Sequence, residues 1–209
     1  MSFPPDRAAA LAPPLATPRL RLLPRLGAHA EVFFPALSAP ALSTWIDTLR
    51  PESAEALRSR WAARENRLSP EGTQAWLAWT LWDGRDHAPV GWVDATVEPV
   101  PPPLRTPDGL PTLGTATAPL QVTNFGYLLL TDHWGRGLAT EASAAVLAHF
   151  DTVGVVSVRA TVTVGNVASA RVLDKLGFSR TGVLRENDTL RGVLVDDWIY
   201  DRERPWHRC

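Results

Sequence analysis

The chain has 209 residues, of which 45% are hydrophobic and 21% are charged, the composition of an ordinary globular protein. Its 21 basic and 22 acidic residues leave a formal net charge of -1, which argues against nucleic-acid and membrane-surface partners because both attract basic proteins. The single cysteine is Cys209, and no apolar run reaches the roughly 18 residues of a membrane span. We therefore expect a cytoplasmic protein without disulfides or a membrane anchor.

The N-terminal segment shows no hydrophobic period. Residues 1–16 are rich in Pro and Ala, so we expect a flexible arm there, followed by a single domain over residues 17–209. Leucine alternates with arginine over residues 19–26, which is typical of a half-buried strand. Pro24 confines this strand to an edge or an end of a sheet.

The next part of the chain changes from a helical to an extended pattern. Between residues 28 and 82 the pattern is mostly helical and predicts two or three helices. Asp83-Gly84 indicates a turn, and Val90 to Val97 predicts the next strand. Residues 98–120 are rich in Pro and form a long predicted loop, which either lines a substrate entrance or is a tolerated insertion.

The second half alternates strands and helices more regularly. The pattern predicts strands over 124–130, 155–164, 178–183 and 193–200, and helices over 138–150 and 167–176. Gly177 stands where a helix C-terminus requires a left-handed residue. This order predicts an α/β fold with a mixed sheet, whose central strands are parallel and joined by a crossover helix.

A glycine-containing loop, Trp134 to Ala139, lies between a predicted buried strand and a predicted helix. Such a loop is either a tight turn or an anion site formed by free amides at the helix start. A dinucleotide fingerprint would require Gly or Ala at Thr140 and an acidic residue at Gly165 or Asn166. A Walker loop would require a lysine here, but the chain's lysine is Lys175.

Asn166 and Ser169 open the second predicted helix. The purely structural interpretation is that Asn166 is the N-cap and Ser169 folds back towards it. However, Ser169 shares a helical face with Val172, Leu173 and Leu176, so its hydroxyl points towards the core side. A functional role and a capping role are compatible at these positions.

Three segments together resemble the GNAT N-acetyltransferase superfamily, in particular the branch of ribosomal-protein N-terminal acetyltransferases of the RimJ/RimL type. They are the strand Phe125 to Leu130, the loop continuing through Thr140-Glu141-Ala142, and Asn166 to Phe178. The similarity extends from Thr17 to Trp206. The superfamily generally has Gln or Arg at the position of Trp134. In departing from that pattern, this chain resembles the RimJ/RimL-type branch.

The resemblance implies a parallel strand pair splayed around acetyl-CoA, with the N-terminal helices on one side. Acetyl-CoA is then a co-substrate whose pyrophosphate contacts the glycine-containing loop. The residues implied in cofactor binding are Leu128, Leu129, Leu130, Trp134, Gly135, Arg136, Gly137, Leu138, Ala139, Thr140, Asn166 and Ser169. The five histidines and Cys209 lack the spacing of metal ligands, so we expect no metal site and mainly surface roles for the histidines.

The resemblance also implies the catalytic groups. Ser169 would lie near the sulfur and protonate the departing thiolate. Glu186 and Asp188 follow a predicted strand and are the candidate bases, with Asp94 on an earlier strand as a further candidate; solvated loop charge is the alternative for the first two.

The expected reaction is direct transfer of an acetyl group to a primary amine, either a protein or peptide N-terminus or a small-molecule amine. No basic cluster is evident in the sequence for a carboxylate-rich acceptor. The alternative is a non-catalytic CoA-binding module with the same fold. The resemblance leaves a homodimer open.

Overall fold

The computed structural model describes residues 2–46, 51–101 and 118–203. Its strands are β1 Leu15–Ala16, β2 Leu20–Pro24, β3 Ala75–Asp83, β4 Pro89–Pro99, β5 Leu120–Leu129, β6 Val155–Thr163, β7 Ser179–Leu190 and β8 Val193–Glu203. Its α-helices are α1 Pro5–Ala10, α2 Ala30–Phe33, α3 Ala54–Ala62, α4 Leu138–Thr152 and α5 Val167–Lys175. Short 3-10 helices cover Gly27–His29, Phe34–Ser38, Pro40–Thr44 and Thr131–His133.

The described strands form one sheet of eight in the order β1-β2-β3-β4-β5-β6-β8-β7. Among them the β5–β6 pair alone is parallel, and α4 is its crossover helix. The predicted mixed α/β fold with a central parallel pair is therefore confirmed. The other neighbouring strands are antiparallel, and three of these pairs, β1–β2, β3–β4 and β7–β8, are joined by short connections.

The parallel pair separates soon after it begins. Leu120, Gln121 and Val122 of β5 pair with Val155, Ser157 and Val158 of β6, and no further pairing between these two strands is formed within the described residues. Both strands nevertheless continue, β5 to Leu129 and β6 to Thr163. A wedge-shaped gap therefore opens in the middle of the sheet.

Period-2 alternation distributes side chains between the two faces of the sheet. The larger core lies under α1, α4 and α5, where Trp79 and Phe150 are fully buried and meet edge to face. The smaller core lies under α2 and α3, where Phe33, Trp61 and Trp92 pack together. The side chains of α4 predicted to face the sheet are buried; they are Leu138, Ala142, Val146 and Phe150.

The N-terminal arm differs from its prediction. Residues 5–10 form α1, and the side chains of Phe3 and Ala8 are 2% and 0% exposed in the larger core. Trp79 Nε1 also donates a hydrogen bond to the carbonyl oxygen of Pro13, at 2.8 Å. The flexible arm is therefore wrong for these residues: Pro5 starts a helix, where its missing amide costs nothing, and the segment's few apolar side chains are too irregularly spaced to show a period.

The segment from 28 to 82 is also less helical than predicted. The first helices are short, and α3 is the main one, capped by Ser53 Oγ, which accepts a hydrogen bond from the amide of Ala56 at 3.0 Å. The tryptophan-rich end of the segment is strand β3, whose alternate side chains Ala75, Leu77, Trp79 and Leu81 are buried in the larger core.

The Pro-rich loop is described only at its ends. Pro99 closes β4, and the amide of Val100 donates to the carbonyl oxygen of Pro119 at 2.8 Å. The predicted loop between 102 and 117 lies outside the described residues. In the described ranges no helix combines the length and apolar character needed to cross a membrane.

Two of the histidines that were predicted to have surface roles, His29 and His149, are half-buried and contact other parts of the fold. His29 Nδ1 lies 2.9 Å from Thr80 Oγ1, and its ring meets Trp82 edge to face. His149 Nε2 lies 3.1 Å from the carbonyl oxygen of Leu11. Burial lowers the pKa of His29.

Candidate active site at the splayed strands

A cleft of about 490 Å³ opens where β5 and β6 separate. Its walls are the end of β5, the start of α4, one face of α5 and the 3-10 helix Pro40–Thr44 with the residues after it. The cleft is lined by these predicted cofactor residues: Leu128, Leu129, Trp134, Gly135, Gly137, Leu138, Ala139, Thr140, Asn166 and Ser169. Most of the residues implied by the resemblance are therefore brought together in one place.

Leu130 and Arg136 are the two predicted cofactor residues that do not line this cleft. The side chain of Leu130 is buried in the smaller core, and its amide donates to the carbonyl oxygen of Val90 at 2.9 Å. The side chain of Arg136 is exposed, with Nη1 3.3 Å from His133 Nδ1.

The glycine-containing loop presents unpaired amides to the cleft. Gly135 and Gly137 have φ angles of 71° and 74°, a left-handed conformation that favours glycine. The first intrahelical bond of α4 runs from the amide of Glu141 to the carbonyl oxygen of Gly137, at 3.1 Å. The amides of Leu138, Ala139 and Thr140 have no acceptor among the described residues, so the helix start offers donors and a positive dipole end to an anion.

Glu141 and Arg19 fix the position of this loop. Arg19 Nε donates to Glu141 Oε2 at 2.6 Å, and Arg19 Nη1 donates to the carbonyl oxygen of Arg136 at 2.9 Å. Thr17 Oγ1 also donates to Glu141 Oε1. Burial by itself would raise the pKa of Glu141, but the hydrogen bonds from Thr17 and Arg19 lower it below its usual value. The turn before β2 is thus tied to the α4 N-terminus.

The indole of Trp134 holds the glycine-containing loop against the end of β5. Its Nε1 donates to the carbonyl oxygen of Leu129 at 2.7 Å, while 48% of the residue stays exposed. The side chain that replaces the superfamily's Gln or Arg therefore joins the end of β5 to the start of the loop.

Asn166 is the N-cap of α5, as the structural interpretation predicted: its Oδ1 accepts from the amide of Ser169 at 3.1 Å. The hydroxyl of Ser169 does not fold back to the cap. Its Oγ lies 2.8 Å from the phenol oxygen of Tyr127, which also donates to the carbonyl oxygen of Ser169 at 3.0 Å.

Tyr127 is a cleft residue that sequence reasoning missed. It was visible only as one aromatic residue in a buried strand, and its reach to α5 depends on how α5 packs. Burial raises the pKa of Tyr127 to about 12, so its phenol remains protonated at neutral pH. The phenol donates to the carbonyl oxygen of Ser169, and either hydroxyl can donate in the contact between Tyr127 and Ser169, so the Ser169 hydroxyl can turn its proton towards the cleft.

Two cations on α5 were also missed. Arg171 and Lys175 line the cleft and are exposed, one helical turn apart. Lys175 is remote in sequence from the glycine-containing loop, yet the fold places both residues at the same cleft. Their i, i+4 spacing was the available signal.

Glu186 and Asp188 do not reach the cleft. They lie within β7, which continues to Leu190, and both are exposed. The amide of Glu186 donates to Asp196 Oδ1 at 3.0 Å, and β7 is separated from β6 by β8. Their role as bases stays a prediction that this geometry does not favour. Asp94 lines a second cavity of about 340 Å³.

Among the described residues, no group of three or more His, Cys, Asp and Glu is arranged to bind a metal.

A mixed sheet that opens between its two parallel central strands, with a glycine-containing loop at the start of the crossover helix, defines a GNAT-type fold. The model of the acetyltransferase (GNAT) domain matches residues 19–179, and the chain belongs to this family. The chain is 35% identical over 81 residues to uncharacterized N-acetyltransferase YoaA of Bacillus subtilis (strain 168). That match covers 38% of this chain and 46% of YoaA, so it spans less than half the length of this curated relative.

Solved structures share the fold over most of the chain. One is RimL, ribosomal L7/L12 alpha-N-protein acetyltransferase in complex with coenzyme A, with a TM-score of 0.71 and 16% identity. The similarity covers 91% of this chain and 97% of that one. Another is the ribosomal-protein-S5-alanine acetyltransferase of Vibrio fischeri, with a TM-score of 0.66 and 15% identity over 92% of this chain and 97% of that chain.

Proposed function

We propose that this protein is an N-acetyltransferase that uses acetyl-CoA and transfers the acetyl group directly to a primary amine. The observation that carries the proposal is a single cleft that joins unpaired helix-start amides at one end to the Tyr127–Ser169 hydroxyl pair at the other. Family membership supports acetyl transfer as the general chemistry.

The residues of the cleft fit such a co-substrate. The amides from Leu138 to Thr140 suit a pyrophosphate, and Arg171 and Lys175 add positive charge nearby. The open edge of β5 provides backbone groups for the amide-containing arm of the molecule. When bound, acetyl-CoA supplies the acetyl group in activated form as a thioester.

The hydroxyl of Ser169 is the group we assign to the sulfur end of the cleft. A departing thiolate requires a proton or a hydrogen bond, and a positioned donor typically contributes about 10²–10⁴-fold in rate. Tyr127 orients this donor and keeps its own proton, since its pKa is raised to about 12. No covalent acetyl-enzyme is needed, and the chain's one cysteine, Cys209, lies outside the described residues.

An α-amine or a small amine is the acceptor class we favour over a lysine side chain. Neutralising an α-amino group with a pKa near 7.8 costs about 1 kcal/mol at pH 7, against roughly 4.6 kcal/mol for a lysine ammonium. A structural neighbour is named as an alpha-N-protein acetyltransferase, which agrees with this preference. We place the reaction in the cytoplasm on the basis of composition.

Calorimetric titration with CoA, followed by assays of acetyl-CoA with a panel of amines, tests the proposal. CoA binding together with thiol release that depends on the amine is the expected result. CoA binding without turnover on any amine would favour the non-catalytic module instead. Absence of CoA binding by the folded protein, or a burst of acetyl-enzyme without an acceptor, would contradict the proposal.

A further inference from the structure

The second cavity lies on the face of the sheet that carries α2 and α3. Its volume of about 340 Å³ lies at the lower end of the roughly 300–1,000 Å³ of small-molecule pockets, enough for a small polar molecule or a chain end. Its lining includes Arg25, Arg64, Gln74, Trp76, Asp94 and Asn124. Charged and polar residues thus converge there, and no step described above uses them.

This cavity adjoins the gap in the sheet. Asn124 of β5 lies beyond Val122, the last β5 residue that pairs with β6. Asp94 of β4 pairs with Gly126 of β5, and a Cβ added to Gly126 would lie 2.9 Å from Asp94 Oδ1. The absence of a side chain at Gly126 therefore lets the Asp94 carboxylate lie over β5, the strand that forms one edge of the gap.

Two guanidinium groups face the same space. Arg25 lies over the ring of Trp61, with Cζ 5.2 Å from the ring centroid, and Arg64 lies over the ring of Trp76 at 5.1 Å. These stacks fix the planes of the guanidinium groups while leaving N–H groups at their edges. Within the described residues, neither arginine forms an ion pair with Asp94 at 4 Å or less.

Both carboxylate oxygens of Glu98, the neighbouring acid, already accept hydrogen bonds. Glu98 accepts from Gln74 Nε2 through one oxygen and from Gln121 Nε2 through the other, each at 3.0 Å. Asp94 accepts a hydrogen bond from Trp92 but, like Arg25 and Arg64, has no ion-pair partner among the described residues, so the cavity holds two cations and one anion without counter-ions. A ligand that satisfies all three has one positive group and one negative group.

We propose that this cavity binds the acceptor and selects a primary amine that also carries a carboxylate. The Asp94 carboxylate receives the ammonium group beside the gap, and the guanidinium groups of Arg25 and Arg64 receive the carboxylate by charge-assisted hydrogen bonds. This inference rests on the proposed function, since it supplies the acceptor of that reaction. Under this proposal, Arg25 and Arg64 are basic groups for such an acceptor that are not evident in the sequence. Arg25 and Arg64 are far apart in sequence and meet only through the fold.

The charges are costly as purely structural features. Partly buried charges destabilise a protein unless they are paired, and apolar residues at these positions would pack without that cost. Burial raises the pKa of Asp94 even though two cations lie near it, as is typical of groups retained at binding sites.

Paired acceptors that differ only in the carboxylate test the inference. The first pair is alanine and alaninamide; the second is Ala-Glu and Ala-Gln, both amidated at the C-terminus. We expect kcat/KM to be about 10- to 100-fold higher for the carboxylate member of at least one pair, as charge-assisted hydrogen bonds of about 1.5–3 kcal/mol imply. A preference in the first pair indicates a free amino acid, and one in the second pair indicates an acidic peptide.

Arg64→Gln provides the matched variant, and Arg58→Gln the control, because Arg58 lies on α3 outside the cavity with an exposed side chain. In Arg64→Gln the preference falls towards 1 through an increase in KM for the carboxylate acceptor, with CoA affinity retained. In Arg58→Gln the preference stays as in the wild type. Equal rates within both pairs, or a preference that survives in both Arg25→Gln and Arg64→Gln, would overturn the inference.

A binding experiment distinguishes failure of this inference from failure of the proposed function. If CoA binds but no amine is acetylated, alanine and alaninamide are titrated calorimetrically into the CoA complex. Tighter binding of alanine that is lost in Arg64→Gln supports the cavity assignment even then, and equal binding of the two amines overturns it.

Discussion

Tyr127 and Ser169 are held together by two contacts of one phenol oxygen, which donates to the carbonyl oxygen of Ser169 at 3.0 Å and lies 2.8 Å from its Oγ. β5 and α5 therefore meet at a fixed hydroxyl donor inside the cleft. The contact joins two residues 42 positions apart, and it is lost if either hydroxyl is removed.

Replacing Ser169 by Ala is expected to lower kcat by about 10²-fold or more, the usual contribution of a positioned proton donor. CoA affinity should change little, because the cap at Asn166 uses the amide of Ser169 rather than its hydroxyl. Steady-state kinetics and calorimetry measure the two quantities separately.

Tyr127→Phe should have a smaller effect of the same kind, since Ser169 keeps its hydroxyl but loses the group that orients it. Tyr200→Phe is the matched control, a buried tyrosine of β8 that does not line the cleft. A Ser169→Ala variant with wild-type kcat would exclude Ser169 as the donor.

Gly137→Glu is expected to abolish CoA binding. The substitution adds negative charge where unpaired amides converge, and it strains a residue with a φ angle of 74°. Calorimetry with CoA provides the measurement.

A substitution at a second glycine distinguishes the effect of backbone strain from the effect of the added charge. Gly154→Glu is the control, because Gly154 has a φ angle of 83°, its added Cβ would meet nothing within 4 Å, and it does not line the cleft. It should lose stability while binding CoA normally. Normal CoA affinity in folded Gly137→Glu would contradict the assignment of this loop.

Arg19 acts as a positioning residue for the loop, according to its bonds to Glu141 and to the carbonyl oxygen of Arg136. Arg19→Gln should weaken CoA binding by roughly 3- to 10-fold, about the 0.5–1.5 kcal/mol of ordinary hydrogen bonds. The stability loss should be small, since 42% of the Arg19 side chain is exposed and solvent screens the pair.

The pH dependence of this effect follows from Glu141, whose pKa is lowered in the folded protein. Its contribution is present above the ordinary pKa of a glutamate and is lost as the pH falls through the lower folded value. The difference between wild type and Arg19→Gln should therefore shrink only in acid. Arg21→Gln, on the exposed face of β2, should match the wild type. A pH-independent difference would argue against a charge-based contact.

The parts of the fold that could be predicted are those with local, periodic signals. The predicted bounds of α4, β6 and α5 agree with the structure to within two residues, because Gly137, Gly154 and Gly177 interrupt regular apolar patterns. The cleft residues of the α4 loop and the cap at Asn166 were likewise local, within a few positions of each other. These residues could be predicted because those that act together are also close in sequence.

The parts that could not be predicted depend on long-range packing. Arg19 and Glu141 are 122 positions apart, and nothing in either neighbourhood indicates the other. The helix α1 was obscured by prolines, whose effect at a first helical position differs from their effect inside a helix. The acids Glu186 and Asp188 were placed after a strand predicted over 178–183, whereas β7 continues past both by pairing with β8.

The buried carboxyl of Asp94 lowers the stability of the folded protein at neutral pH. Burial raises the pKa of Asp94, and the charges of Arg25 and Arg64 together with a hydrogen bond from Trp92 only partly oppose this. A carboxyl whose pKa is raised by folding destabilises the folded state fully above the folded pKa and not at all below the ordinary value of 3.8. Asp94→Asn should therefore raise Tm at neutral pH, by about 2–4 °C for each kcal/mol relieved.

Thermal unfolding of Asp94→Asn and the wild type between pH 4 and 8 measures this effect. The gain in Tm should shrink as the pH falls towards 4, while kcat/KM for amines decreases by about 10-fold or more at neutral pH, where the ammonium loses its partner. Asp132→Asn, an exposed control, should change neither quantity. A variant with lower Tm than the wild type at pH 7 would mean that Arg25 and Arg64 hold the Asp94 charge as a structural ion pair. A stabilised variant with reduced activity would instead show that the protein keeps a destabilising charge for use at this site.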